Sequence, residues 1–129
     1  MKNPVLIASL LIPLAASCVA VAAGAAAGYV ISSEVMPGEV HTVTVADDVD
    51  VVWSSAKSAL TSISTEPLDV TEMPRIAKGV VDGCDVTLEV QAFDIDRTVI
   101  NVQAEKYKTT RGATAQRVID RVLAELPGR

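Results

Sequence analysis

The chain opens on a long apolar run and settles into ordered alternation only after about its first third. No residue from Asn3 to Ser33 is charged, whereas from Glu34 onward charges recur every few positions. In "EVHTVTVAD", Val43 and Val45 alternate with Thr42 and Thr44, the period of a half-buried strand. At the acidic cluster Asp47-Asp48-Val49-Asp50 the period changes. Val49, Val52, Trp53, Ala56, Leu60 and Ile63 keep to one side of a 3.6-residue repeat, which predicts an amphipathic helix. Asp47 is its expected N-cap, and Asp48 and Asp50 suit the positive end of the helix dipole.

"STEPLDVTEMP" interrupts the helix, with Pro67 and Pro74 bracketing a short edge strand expected around Leu68 to Thr71. The stretch "RIAKGVVDGCDVTLEVQAFDIDRTVINVQAEKY" then predicts three strands in a meander. Asp82-Gly83 is a hairpin signal, because that dipeptide tolerates the positive backbone angles of a tight turn. Cys84, Val86, Leu88 and Val90 alternate with Asp85, Thr87, Glu89 and Gln91, so one face is dry and the other wet. After a turn at Asp94-Ile95-Asp96, the positions Thr98, Ile100, Val102 and Ala104 repeat the inward pattern. "GATAQRVIDRVLAELPGR" closes the chain with Ala115, Val118, Ile119, Val122 and Leu126 on one helical face. The order β-α-β-β-β-α predicts an α+β two-layer sandwich, an antiparallel sheet with two helices on one face, preceded by a signal or anchor segment.

That leading segment has its own logic. A short basic start, Met1-Lys2, precedes an apolar stretch from Pro4 to Leu14 and then the small residues of "LAASC", the layout of a secretory signal that ends on a cysteine. Ala15-Ala16-Ser17 offers the extended, small-residue approach that acyl transfer to the Cys18 thiol requires, with Leu14 four places before the cysteine. The expected boundaries are residues 1–17 as lipoprotein signal peptide, 18–39 as lipidated cysteine and Gly/Ala-rich linker, and 40–129 as a small α+β domain. Two alternatives stand beside this. The apolar run from Pro4 to Ile31 exceeds the roughly 20 residues a membrane-spanning helix needs, although Pro13 lies inside it. Ordinary cleavage after Ala20-Val21-Ala22 would release a soluble secreted protein. Lipidation would attach the chain to a membrane without crossing it, since one acyl chain holds marginally and two or three hold firmly. Gly24 and Gly28 form a G-x-x-x-G pair, a spacing that suits helix self-association or simply a small-residue linker.

The whole chain resembles a family of small bacterial envelope lipoproteins that share a domain of unknown function. "LAASCVAVAAGAAAGYV" corresponds to the signal, lipidated cysteine and linker, "VDVVWSSAKSAL" to the first helix, "VVDGCDVTLEVQAF" and "RTVINVQAEKY" to the sheet, and "RGATAQRVIDRVLAEL" to the last helix. The resemblance implies a short β-α-β-β-β-α module held at a membrane in the cell envelope, and it brings no catalytic residues with it. Val19, where many inner-membrane lipoproteins carry an aspartate, favours an outer-membrane address facing the periplasm in a host that has one.

Composition narrows the function classes. At 129 residues there is room for one domain and little for a large buried active site. All 16 acidic residues follow the apolar run, against 10 of the 11 basic ones, and a surface so charged repels phosphate backbones. Aromatic residues make up 3%, too few for base stacking, so nucleic acid is not an expected partner. His41 is the single histidine, which leaves no two-histidine metal site and points to a structural role on the first strand. Neither a Walker loop nor a dinucleotide fingerprint is present.

The remaining chemical side chains have structural explanations. Ser54, Ser55 and Ser58 fall on the expected polar side of the first helix. Trp53 falls on its core side. Cys84 sits at an inward strand position as a small hydrophobe, Asp47, Asp48 and Asp50 serve the helix start, and Asp94 with Asp96 serves a turn. No metal, cofactor or catalytic residue is therefore expected. The expected function is a non-enzymatic, lipid-anchored envelope module that contacts another protein or its own copies, with a small apolar-ligand (lipid) binding module as the rival and an enzyme as a distant third.

Overall fold

Val43 and Val45, the positions Cys84, Val86, Leu88 and Val90, and Ile100, Val102 and Ala104 are buried at every second residue, and a sheet lets those sets share one dry face. The structure, a computed structural model, describes residues 30–127. Its elements in chain order are β1 (Val30–Met36), β2 (Val40–Val45), α1 (Val49–Ile63), β3 (Asp69–Glu72), β4 (Arg75–Val81), β5 (Cys84–Ala92), β6 (Thr98–Lys106), β7 (Thr109–Thr110) and α2 (Gly112–Glu125). The sheet is antiparallel throughout, in the order β1-β2-β6-β5-β4-β3, with β7 paired to β6 beside this path.

Both helices lie on the same face, so the α+β two-layer sandwich is the architecture of the domain. α2 packs on β2 and β6, α1 packs on β4 and β5, and the two helices pack on each other. Between the layers, Leu60, Leu88, Ile100, Ile119, Leu126 and the valines of β2, β5 and β6 that face the helices are buried almost completely. Each such side chain contributes roughly 1.5–3 kcal/mol by leaving water. Thr98, fully buried among them, donates its Oγ1 hydrogen to the Asp47 carbonyl at 2.8 Å, which ties the start of β6 to the entry of α1.

The expected hairpin at Asp82-Gly83 forms with two turn residues, φ being +54° and +76°, and brings Val81 opposite Cys84. The β5–β6 turn is an Asx turn in which Asp94 Oδ1 accepts from the Asp96 backbone at 2.9 Å. Four features depart from expectation. The segment 30–36, expected to belong to the linker, forms β1, so the sheet includes residues ahead of Val40. Its alternation was hidden because the register shifts between Val30 and Ser32, and that irregularity resets the phase of "VISSEVM". β7 is a two-residue strand too short to carry a pattern. The α1 cap is Asp48, whose Oδ1 accepts from the backbone of Asp50 at 2.8 Å and Val51 at 3.4 Å, one residue beyond Asp47. Ser55 is only 7% exposed, because it lies between Val52 and Ala59 on the stripe of α1 that faces inward.

Candidate functional site

α1 covers β4 and β5 but leaves the outermost strand, β3, beside it instead of beneath it. The register places Val70 opposite Ala77 and Glu72 opposite Arg75, so these β3 side chains project to the helix side of the sheet. Between them and α1 runs an open groove of about 570 Å³, with Leu68 and Val70 along its floor, Lys57 and Thr61 on its helical wall and Glu66 at one end. Every residue of β3 is exposed. Among the described residues no strand pairs with its outer edge, so the edge offers backbone donors and acceptors directly beside an apolar floor.

One rim of the groove is held by Trp53. Its ring is buried in the core as expected, while Nε1 donates to Glu72 Oε2 at 2.6 Å. Lys57, four residues along α1, donates to the other oxygen at 3.2 Å and lies 5.1 Å from the centre of the indole ring. The hydrogen bond from Trp53, and then that from Lys57, holds the Glu72 carboxyl below its ordinary value of 4.5. Arg75 reaches across to Asp50 at 3.1 Å, a second bond from the sheet margin to α1.

The opposite rim depends on close approach. Gly79 on β4 has no side chain where a Cβ would stand 2.8 Å from Leu68 Cδ2 and 2.9 Å from Ser64 Oγ. Into that space comes Ser64, the C-cap of α1, whose hydroxyl accepts from the Val80 backbone at 3.1 Å and donates to the Glu66 carbonyl at 2.6 Å. The α1–β3 connection is thereby fastened to β4, and the groove keeps its width.

Other residues singled out by sequence fall elsewhere. His41 is half-buried on β2, and its Nδ1 donates to Gln116 Oε1 on α2 at 3.4 Å. Cys84 is a buried free thiol 3.7 Å from the Thr114 hydroxyl and 3.8 Å from the Asp82 carbonyl. Asp94 is bonded through Oδ2 to Arg97 Nε at 2.6 Å, and that bond lowers its pKa, as befits a turn carboxylate. Ser54 and Ser58 are exposed on α1. Among the described residues no cluster of three or more histidine, cysteine, aspartate or glutamate side chains could hold a metal ion. No described helix is long and apolar enough to cross a membrane. Cys18, Gly24 and Gly28 lie outside the described residues.

Sequence reasoning missed the groove and its rim. The available signals were the Trp53–Lys57 spacing of one helical turn and the short polar strand "DVTE" between two prolines. Neither one indicates the other without the fold that brings them together. Comparison with protein-family models and with curated proteins finds no match for this chain.

Proposed function

We propose that this chain is a lipid-anchored protein of the bacterial cell envelope, held through acyl chains on Cys18, whose α+β domain is a non-enzymatic module that binds an extended segment of another envelope protein. The address rests on the basic start, apolar stretch and small-residue approach to Cys18. The observation that carries the interaction reading is the open β3 edge beside the groove. A strand added to β3 would gain main-chain hydrogen bonds, and alternate side chains would fall onto Leu68 and Val70. Lys57 and Glu66 place one charge of each sign along the groove, which suits a peptide with both signs better than a wholly apolar small molecule.

Two measurements test this. Intact mass of the membrane-extracted protein should show loss of residues 1–17 and a lipid adduct, and Cys18→Ala should lose both. A wild-type mass that retains Met1 to Ser17 without lipid would sink the anchor. For the module, a photo-crosslinker placed at Thr61 in envelopes should yield one discrete adduct that Val70→Asp abolishes. Native mass spectrometry that instead finds a co-purifying apolar molecule displaced by the same substitution would favour the ligand-binding rival.

A further inference from the structure

The two ends of the sheet differ in what they expose. Val30 pairs with Val45, Val45 with Thr98, and Thr98 with Ala92, so the entry of the chain into β1 and the β5–β6 turn occupy one end. Arg75 pairs with both Glu72 and Val90, which puts the β3–β4 turn at that end as well. Three large apolar side chains stand out there: Met73 is 92% exposed, Phe93 62% and Ile95 87%. They come from two separate turns, and neither packs into the core. Arg97 lies over the Phe93 ring at 4.6 Å and is paired with Asp94, while Ile95 projects from the turn between Asp94 and Asp96. The far end carries the Asp82-Gly83, β1–β2 and Tyr107-Lys108 turns; Val35, Met36 and Tyr107 are exposed there, and the aromatic is flanked by Lys106 and Lys108.

We propose that the Met73, Phe93 and Ile95 tips dip into the lipid surface that holds the chain, so that the domain stands end-on with β1 entering from the membrane side. This rests on the anchored reading above, and what names the occupant is where the undescribed chain joins the fold. The uncharged run reaches the domain at Val30, at the end that bears the three tips. From Cys18, the eleven residues 19–29 span at most about 40 Å even when fully extended, so the tip end stays within reach of the bilayer. Large apolar side chains presented singly on turns suit the boundary between headgroups and acyl chains, where each can insert without a flat complementary surface. The charges at this end set the lipid preference. Asp48, Asp50, Glu72, Asp94 and Asp96 outnumber Arg75 and Arg97, so the contact favours a zwitterionic surface over an anionic one.

The test places a polarity-sensitive fluorophore at Ile95→Cys, and separately at Tyr107→Cys, in the full chain reconstituted into phosphatidylcholine vesicles with acyl-brominated lipid. The parent chain serves as the control for labelling at Cys84 and Cys18. The label at position 95 should be blue-shifted and quenched several-fold more than that at 107, and phosphatidylglycerol in the vesicles should weaken the quenching. Equal, weak quenching at both positions, with intact mass showing a lipidated Cys18, would overturn the tip contact and leave the anchor standing. An unlipidated mass with strong quenching at 95 would retain the tip contact while removing the lipid anchor. A blue shift at 95 without quenching would mean that a second copy covers the tips, and would overturn the proposal.

Discussion

The two helices meet the sheet in different ways. α2 sits squarely over β2 and β6, with Ala115, Val118, Ile119 and Val122 fully buried against them. Its first residue, Gly112, lies so close to β2 that an added Cβ would stand 3.2 Å from His41 Nε2. α1 buries a stripe that includes Ser55 on β4 and β5 but ends its coverage before β3, leaving the groove and a rim made by Trp53, Lys57 and Glu72. Both helices show a clear apolar stripe and each leaves a terminal strand of the sheet beyond its main packing, β1 past α2 and β3 past α1, but it is beside α1 and β3 that the groove and its charged rim lie. The stripe thus reports how a helix is buried and says little about what lies past its edge.

This contrast separates stability from interaction, and it can be broken. Ile119→Ala, in the core beneath α2, should cost the most: about 2–5 kcal/mol by urea unfolding, the usual range for a cavity left in a packed core. The crosslink from Thr61 should survive it under native conditions, because distant sites behave independently. Loss of the crosslink with the fold intact would show that the two sides are coupled. Gly79→Ala should cost less, about 1–3 kcal/mol, because Leu68 and Ser64 must move aside for the new methyl. Unlike Ile119→Ala, it should also abolish the crosslink, since those same residues set the groove. Unchanged stability would mean that the connection yields freely.

The smallest expected effect lies at the rim. Glu72 has a folded pKa below its ordinary 4.5, so its contribution to stability is complete above that value and is lost as pH falls through the lower folded one. In acid titrations followed by Trp53 fluorescence, wild type should lose part of its stability in this window, and Glu72→Gln should show a flatter profile there. Parallel profiles would remove Glu72 from any role in holding Trp53.

Much of this was legible along the chain. The alternation from Cys84 to Val90, the hairpin at Asp82-Gly83 and the stripes of both helices each depend on neighbours within a few residues, where backbone geometry dictates side-chain direction. Legibility failed where phase or distance intervened. β1 was hidden by a register shift that breaks its alternation, and the α1 cap moved by one residue because Asp47 and Asp48 are chemically equal and backbone geometry chose between them. Ser55, expected on the polar side of α1 with Ser54 and Ser58, is carried inward by the helical period between Val52 and Ala59.

The sequence by itself determined the α+β layering, the inward set of each central strand and the uncharged run from Asn3 to Ser33, since all three are properties of local order. Only the tertiary structure decided that β2 lies between β1 and β6, that Glu72 meets Trp53, and that the Met73 and Ile95 turns share an end with the entry of the chain at Val30. Those facts join residues distant in sequence. Their partners are selected by the packing of whole faces, and no local period records that choice.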